Sequence, residues 1–236
     1  MITCIELSGF KTFQDFKLEL APFQVIVGAN GVGKSNLFDA LRLLSRLADT
    51  DLRSAFQALR GEAGELFMIL PSGQPVQNLY MAVEMLVERE VSDSWGAQAE
   101  LKYPRLRYEV HISRRTDEQD LERLYVVHES LVPIRRADDS WIKQHVGKAA
   151  KNWLPPLKGG RGEPFISTKA ASGTATIYLH QDGHGGRKAS VADKVERTVL
   201  SGVTNTEFPH AFAAREEMRT WSFLQLNPEV LRQPSS

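Results

Sequence analysis

The chain has 236 residues, 29 Lys+Arg against 29 Asp+Glu, with 42% hydrophobic and 25% charged residues. Zero formal charge excludes a protein drawn onto nucleic acid by bulk electrostatics, so any such surface would have to be local. The single cysteine, Cys4, excludes an internal disulfide and fits a reducing cytosol, and no stretch reaches the roughly 18 apolar residues of a membrane span. The opening Met-Ile-Thr-Cys-Ile-Glu lacks the basic n-region and apolar core of a signal peptide, so a cytoplasmic protein is expected.

In chain order, Ile2 to Leu7 alternates as a strand, Gly9 to Phe13 is a turn-like break, and Phe16 to Leu20 alternates again. A hairpin is predicted. Phe23 to Val27 is short, apolar and β-branched, the composition of a buried parallel strand. It runs into G-x-x-x-x-G-K-[ST], matched at Gly28, Gly33, Lys34 and Ser35. After Ser35, the residues Leu37, Ala40, Leu41, Leu44 and Leu47 recur at helical spacing.

The chemistry of that loop is specific. Backbone N–H groups turned inward can surround a polyphosphate, and glycines at 28, 31 and 33 let it approach closely. Lys34 can reach the β and γ phosphates, and the Ser35 hydroxyl can ligate Mg²⁺. The helix that follows offers its positive N-terminal end to the anion.

Farther on, Asp51 to Arg60 reads as a short helix ended by Gly61. Leu79 to Val87, Leu106 to Ser113, Leu124 to His128 and Thr174 to His180 read as strands separated by charged and Gly/Pro turns, an antiparallel layer. From Trp141 to Lys169 six Lys/Arg face one acidic residue, Glu163, with Trp141, Trp153 and Phe165 interleaved. That is the composition of a nucleic-acid surface, with a solvated loop as the alternative. His180 and His184 have metal-like spacing, but the glycines around them favour a turn. Asp182 to Gly185 fits the D-x-x-G of GTPases without the N-K-x-D that selects guanine.

The stretches "IELSGFKTFQDFKLEL" and "VIVGANGVGKSNLFDALRLL" resemble the N-terminus of ABC-type ATPases of the SMC, RecF and OLD-like group, including small bacterial AAA family ATPases. The match is carried by Gly9-Phe10-Lys11-Thr12-Phe13 and by Gly28 to Asn36, and the tail "WSFLQLNPEVLRQPS" is similar to segments that precede the signature motif in that group. The resemblance implies an α/β chain of α+β character: a P-loop NTPase head of the ABC type with a mixed parallel core and an antiparallel β-subdomain. It implies ATP and Mg²⁺ as ligands, held by Lys11, Gly28, Asn30, Gly31, Val32, Gly33, Lys34, Ser35 and Asn36. Lys34 and Gln225 would act in catalysis, with Ser35 and Gln225 on the metal.

The family sandwiches ATP between the phosphate loop of one head and the signature of another, so a head-to-head homodimer is expected. An effector protein, and DNA through 141–169, are further partners of this reading; a membrane is not. The nearest string to a Walker B strand, Leu124 to Glu129, has His128 where Mg²⁺ needs a carboxylate. The nearest to a signature, Leu200-Ser201-Gly202, departs after three residues. The expected organisation is a hairpin, phosphate loop and helices over 1–70, the β-subdomain over 71–200 with its basic loop at 138–170, and a connecting segment over 201–236 leading to an absent C-terminal lobe. ATP binding follows, with hydrolysis in a complete head of a DNA-maintenance or phage-defence machine; a non-hydrolysing sensor or scaffold is the alternative.

Overall fold

Alternating apolar residues at 2–8 and 16–19 produce the predicted hairpin in a computed structural model, which describes residues 1–59, 63–116, 120–147, 163–171, 174–181, 187–191 and 195–223. Strands β1 (Ile2–Ser8) and β2 (Phe16–Glu19) pair antiparallel with Ile5 opposite Leu18. The chain then forms α1 (Lys34–Leu47), α2 (Leu52–Gln57) and a 3₁₀ turn at Ala63–Leu66. Strands β3 (Asn78–Leu86), β4 (Glu90–Ser92), β5 (Gln98–Glu100), β6 (Arg105–Thr116) and β7 (Glu122–Pro133) follow. The remainder is α3 (Ser140–His145), β8 (Ile166–Ala171), β9 (Thr174–His180), β10 (Arg187–Val191) and α4 (Pro209–Arg219).

Eight strands form one sheet in the order β10-β9-β8-β7-β6-β3-β1-β2, and β4 pairs β5 separately. Because β1 pairs with β3, the sheet runs across the boundary expected at residue 70. One face is apolar. Leu106, Tyr108, Val110 and Ile112 of β6 alternate inward and are fully buried with Leu37, Leu43, Leu44 and Leu47 of α1 and Ala211 and Met218 of α4. The other face is polar and half-exposed, carrying Glu6, Tyr80, Arg107, Glu109 and His111. Among the described residues, no helix is long and apolar enough to cross a membrane.

The mixed parallel core is corrected in one respect. Every strand pairing among the described residues is antiparallel. Phe23 to Val27, expected as a buried strand, is irregular and paired with none of the described strands, and Phe23 and Val27 are each 84% exposed. A parallel strand is held by neighbours on both edges and layers on both faces; the apolar run is the right composition, and the described sheet supplies neither neighbour.

Of the basic segment, the structure describes the two ends. Ser140–His145 is a helix, capped by the Asp139 carboxylate on the Ile142 N–H at 3.1 Å. Trp141 is buried, donates its indole N–H to the Leu20 carbonyl at 2.6 Å, and lies under the Arg105 guanidinium at 5.3 Å. Phe165 is buried and stacked on His210 with centroids 4.1 Å apart. Both rings are packing residues rather than stacking platforms for bases. Lys148, Lys151, Trp153, Lys158 and Arg161 lie outside the described residues.

Candidate phosphate-binding site

The string Gly9-Phe10-Lys11-Thr12-Phe13 folds into a tight turn. Gly9 donates to the Phe13 carbonyl at 2.9 Å and Phe13 to that of Phe10 at 2.8 Å. Gly9 has φ +77, and a Cβ there would stand 2.4 Å from the Asn78 carbonyl oxygen, so the position requires glycine. Phe10 and Phe13 enter the core. Lys11, at φ +47, lays its side chain against α1, and its part-buried ammonium meets the Asp39 carboxylate at 2.6 Å. Thr12 accepts a hydrogen bond from the Asn36 amide at 3.0 Å. The turn therefore grips the first two turns of α1 at Asn36 and Asp39.

That grip positions the loop in front of it. Gly31 and Gly33 take positive φ, +85 and +95, which reverses the chain just before α1. A Cβ on Gly33 would sit 3.3 Å from Thr12 Oγ1 and 3.9 Å from the Phe13 ring, so the turn also forms the wall behind the loop. Helix α1 begins with no side-chain cap and no acidic residue in its first turn, and its first backbone bond runs from Leu37 N–H to the Gly33 carbonyl. The amides of Lys34, Ser35 and Asn36 precede that bond and point along the helix axis as unsatisfied donors. The Lys34 ammonium is folded back onto the carbonyl oxygens of Gly28 and Ala29, 2.6 Å from each.

Uncapped donors, a cation and two left-handed glycines fit a polyphosphate. Ser35 is exposed on the first turn of the helix, where its hydroxyl would hold a Mg²⁺ carried with that phosphate, and the ion would supply charge neutralisation to it. Asn30 and Val32 lie on the exposed rim, Val32 at 62% exposure. The structure thus brings Gly28 to Asn36 together and places Lys11 on Asp39 behind the helix. Gln225 and His184 lie outside the described residues.

The other catalytic-looking string has a different place. Leu124 to Glu129 belongs to the antiparallel strand β7, between β6 and β8. Glu129 is fully buried. Its carboxylate accepts the N–H groups of Val199 and Leu200 at 2.6 and 2.9 Å and the Tyr108 hydroxyl at 3.1 Å. Burial pushes this carboxyl up to about 7, against the two amides and the hydroxyl that favour its ionised form. It fastens the 3₁₀ turn Leu200–Gly202, the string that begins like a signature, to the sheet. Two decoys in the sequence are thus the two halves of one structural contact.

Sequence reasoning missed Thr12 as the brace of the loop. Its signal was the fixed string around it, in which the phenylalanines draw attention and the threonine does not. It also missed Asp39, visible only as a polar break in the helix face.

Residues 1–94 match the model of the AAA ATPase domain family. Over 109 residues, 43% of this chain, there is 34% identity to the chromosome partition protein Smc of Thauera aminoaromatica, and over 110 residues, 44% of this chain, 31% identity to that of Bordetella petrii. The matches span 8% and 9% of those proteins' lengths. A solved structure described as "Structural biochemistry of ATP-driven dimerization and DNA stimulated activation of SMC ATPases" aligns at 25% identity over 53% of this chain and 68% of its own, with a TM-score of 0.31.

Proposed function

We propose that this chain, whose N-terminal region is that of an SMC-like ABC-type P-loop ATPase, binds Mg-ATP through Gly28 to Ser35. The observation that supports this is the uncapped start of α1 behind two left-handed glycines, braced by Thr12 and faced by the Lys34 ammonium. On binding, the phosphates would replace the Gly28 and Ala29 carbonyls as acceptors for Lys34. Hydrolysis needs a positioned water and charge stabilisation on the far side of the γ-phosphate. The His128–Glu129 pair does not offer these, because Glu129 is engaged in the sheet. Binding without sustained turnover is therefore the activity of residues 1–236. Turnover would come with a second half-site, of the head-to-head kind that the family resemblance implies. A setting in DNA maintenance or phage defence follows from that resemblance alone.

Calorimetry with Mg-ATP tests the reading. Lys34→Ala should lose at least tenfold in affinity, about 1.4 kcal/mol, and a phosphate-release assay on the wild-type chain should show no sustained turnover. Equal binding by wild type and variant would defeat the assignment. Turnover abolished by Glu129→Gln would return β7 to the chemistry.

A further inference from the structure

On the polar face of the sheet, away from the apolar face that packs against α1, three side chains converge that the ATP reading does not use. Glu109 and His111 are two apart on β6 and so point the same way. His128 comes from β7, directly opposite His111. It is there because of a bulge: Ile112 pairs with Val126, so Val127 is an extra residue and the alternation of β7 is reset between Val126 and Glu129. Without the bulge, strict alternation with Val126 in the core would turn His128 to the core face and Glu129 to the polar one.

Glu109 Oε1 lies 3.1 Å from His111 Nε2 and 3.4 Å from His128 Nε2, and one ligand atom from each of the three residues lies within 4.8 Å of the other two. Ligand atoms around a tetrahedral zinc, at bonds of about 2.0–2.1 Å, stand about 3.3 Å apart. The neighbours hold this geometry in place. Arg107 lies 3.5 Å from Glu109 Oε2, leaving Oε1 to the imidazoles. Tyr80 packs edge-on against the His111 ring, centroids 5.0 Å apart at 87°, and its hydroxyl bonds Glu6. Arg107 is itself engaged by Glu6 at 2.6 Å, with Glu84 3.7 Å away, so its positive charge is offset before a cation approaches. The side chains of His111 and His128 are 38% and 35% exposed, which gives an ion an entry path and leaves a coordination position to solvent.

We propose that Glu109, His111 and His128 form a solvent-open divalent-metal site, with two imidazoles and one carboxylate selecting a borderline ion, Zn²⁺ foremost. Two nitrogen ligands disfavour Mg²⁺ and Ca²⁺, which take oxygen, so the site would not compete with the phosphate loop for its ion. Bound metal would pin β6 to β7 across the bulge.

The test is calorimetry of Zn²⁺ into chelator-treated, nucleotide-free, tag-free protein. A single site of micromolar affinity or tighter is expected, weakened by at least about 100-fold in His111→Ala/His128→Ala and about 10–100-fold in the near-isosteric Glu109→Gln. Lys34→Ala should titrate like wild type. Imidazole NMR signals of the wild-type protein provide a readout that needs no variant: those of His111 and His128 should shift with the first equivalent of Zn²⁺. Identical titrations of wild type and the double variant, whether both bind or neither does, would overturn the site. So would a first equivalent that moves other histidines and leaves these two unchanged.

Discussion

The loop Gly28–Ser35 is held from behind and open in front, while the stretch Leu124–Glu129 is packed between two strands and ends on a fully buried carboxylate. Each looks catalytic in sequence. The difference lies in where the polar groups find partners. In the loop, among the described residues, the first amides of α1 have no side-chain cap and the Lys34 ammonium meets neutral backbone carbonyls, so a polyphosphate is a better partner for both. At Glu129, both carboxylate oxygens are already satisfied by Val199, Leu200 and Tyr108. A binding residue keeps its hydrogen-bonding capacity for a ligand; a structural one exhausts it inside the fold.

The contrast breaks first at Glu129→Ala. It strands two backbone N–H groups and one hydroxyl in the core, each costing about 1–3 kcal/mol when buried without a partner. A loss of about 3 kcal/mol or more in urea unfolding is expected, with Mg-ATP affinity unchanged wherever the variant is folded. A variant of native stability and weakened nucleotide binding would reverse the two roles.

The pH dependence of the same residue sharpens the point. Its carboxyl is pushed up to about 7 in the fold from an ordinary value of 4.5. Between those values the folded state keeps a proton that the unfolded chain has released. Stability therefore falls as pH rises from about 4.5 to about 7, by up to about 3 kcal/mol at 1.36 kcal/mol per pKa unit. Glu129→Gln cannot titrate, so the difference between the two unfolding-versus-pH profiles isolates the effect of this one carboxyl. Parallel profiles would mean that the three donors hold the carboxylate ionised despite its burial. Glu6 behaves in the opposite sense. The Arg107 hydrogen bond holds it down to about 2, so its contribution is present above pH 4.5 and is lost only as pH falls towards 2.

How much of this was legible beforehand follows the range of the interactions. The hairpin, α1 and the strands of the layer were readable because periodicity is local: Leu37, Ala40, Leu44 and Leu47 name one helix face wherever that helix packs. The loop before α1, with Gly31 and Gly33 left-handed, was readable because the chemistry proposed for it sets glycines and a lysine at fixed spacings. The state of Phe23 to Val27 was not, since an apolar run specifies that a strand wants neighbours and says nothing of whether they are in place. Trp141 and Phe165 were misread because composition cannot separate an aromatic beside lysines in sequence from one under Arg105 or on His210 in space. The Glu109–His111–His128 cluster needed a register and a bulge, and both are properties of the strand pair.

The smallest expected effect is also the most specific to the loop. Thr12 touches no ligand in the proposed mode of binding. Its hydroxyl accepts the Asn36 amide at 3.0 Å and stands 3.3 Å from where a Gly33 Cβ would be. Thr12→Val keeps the volume and removes the acceptor, freeing Asn36 and loosening the wall behind the left-handed Gly33. Mg-ATP affinity should fall about threefold, about 0.7 kcal/mol, with little change in unfolding, because the bond is exposed. Asn36→Ala should cost a similar amount, and the double variant little more than either alone, since both remove one contact. Additive losses in that cycle would mean that Asn36 meets the nucleotide directly, as the family resemblance implies. Non-additive losses would assign it to the brace.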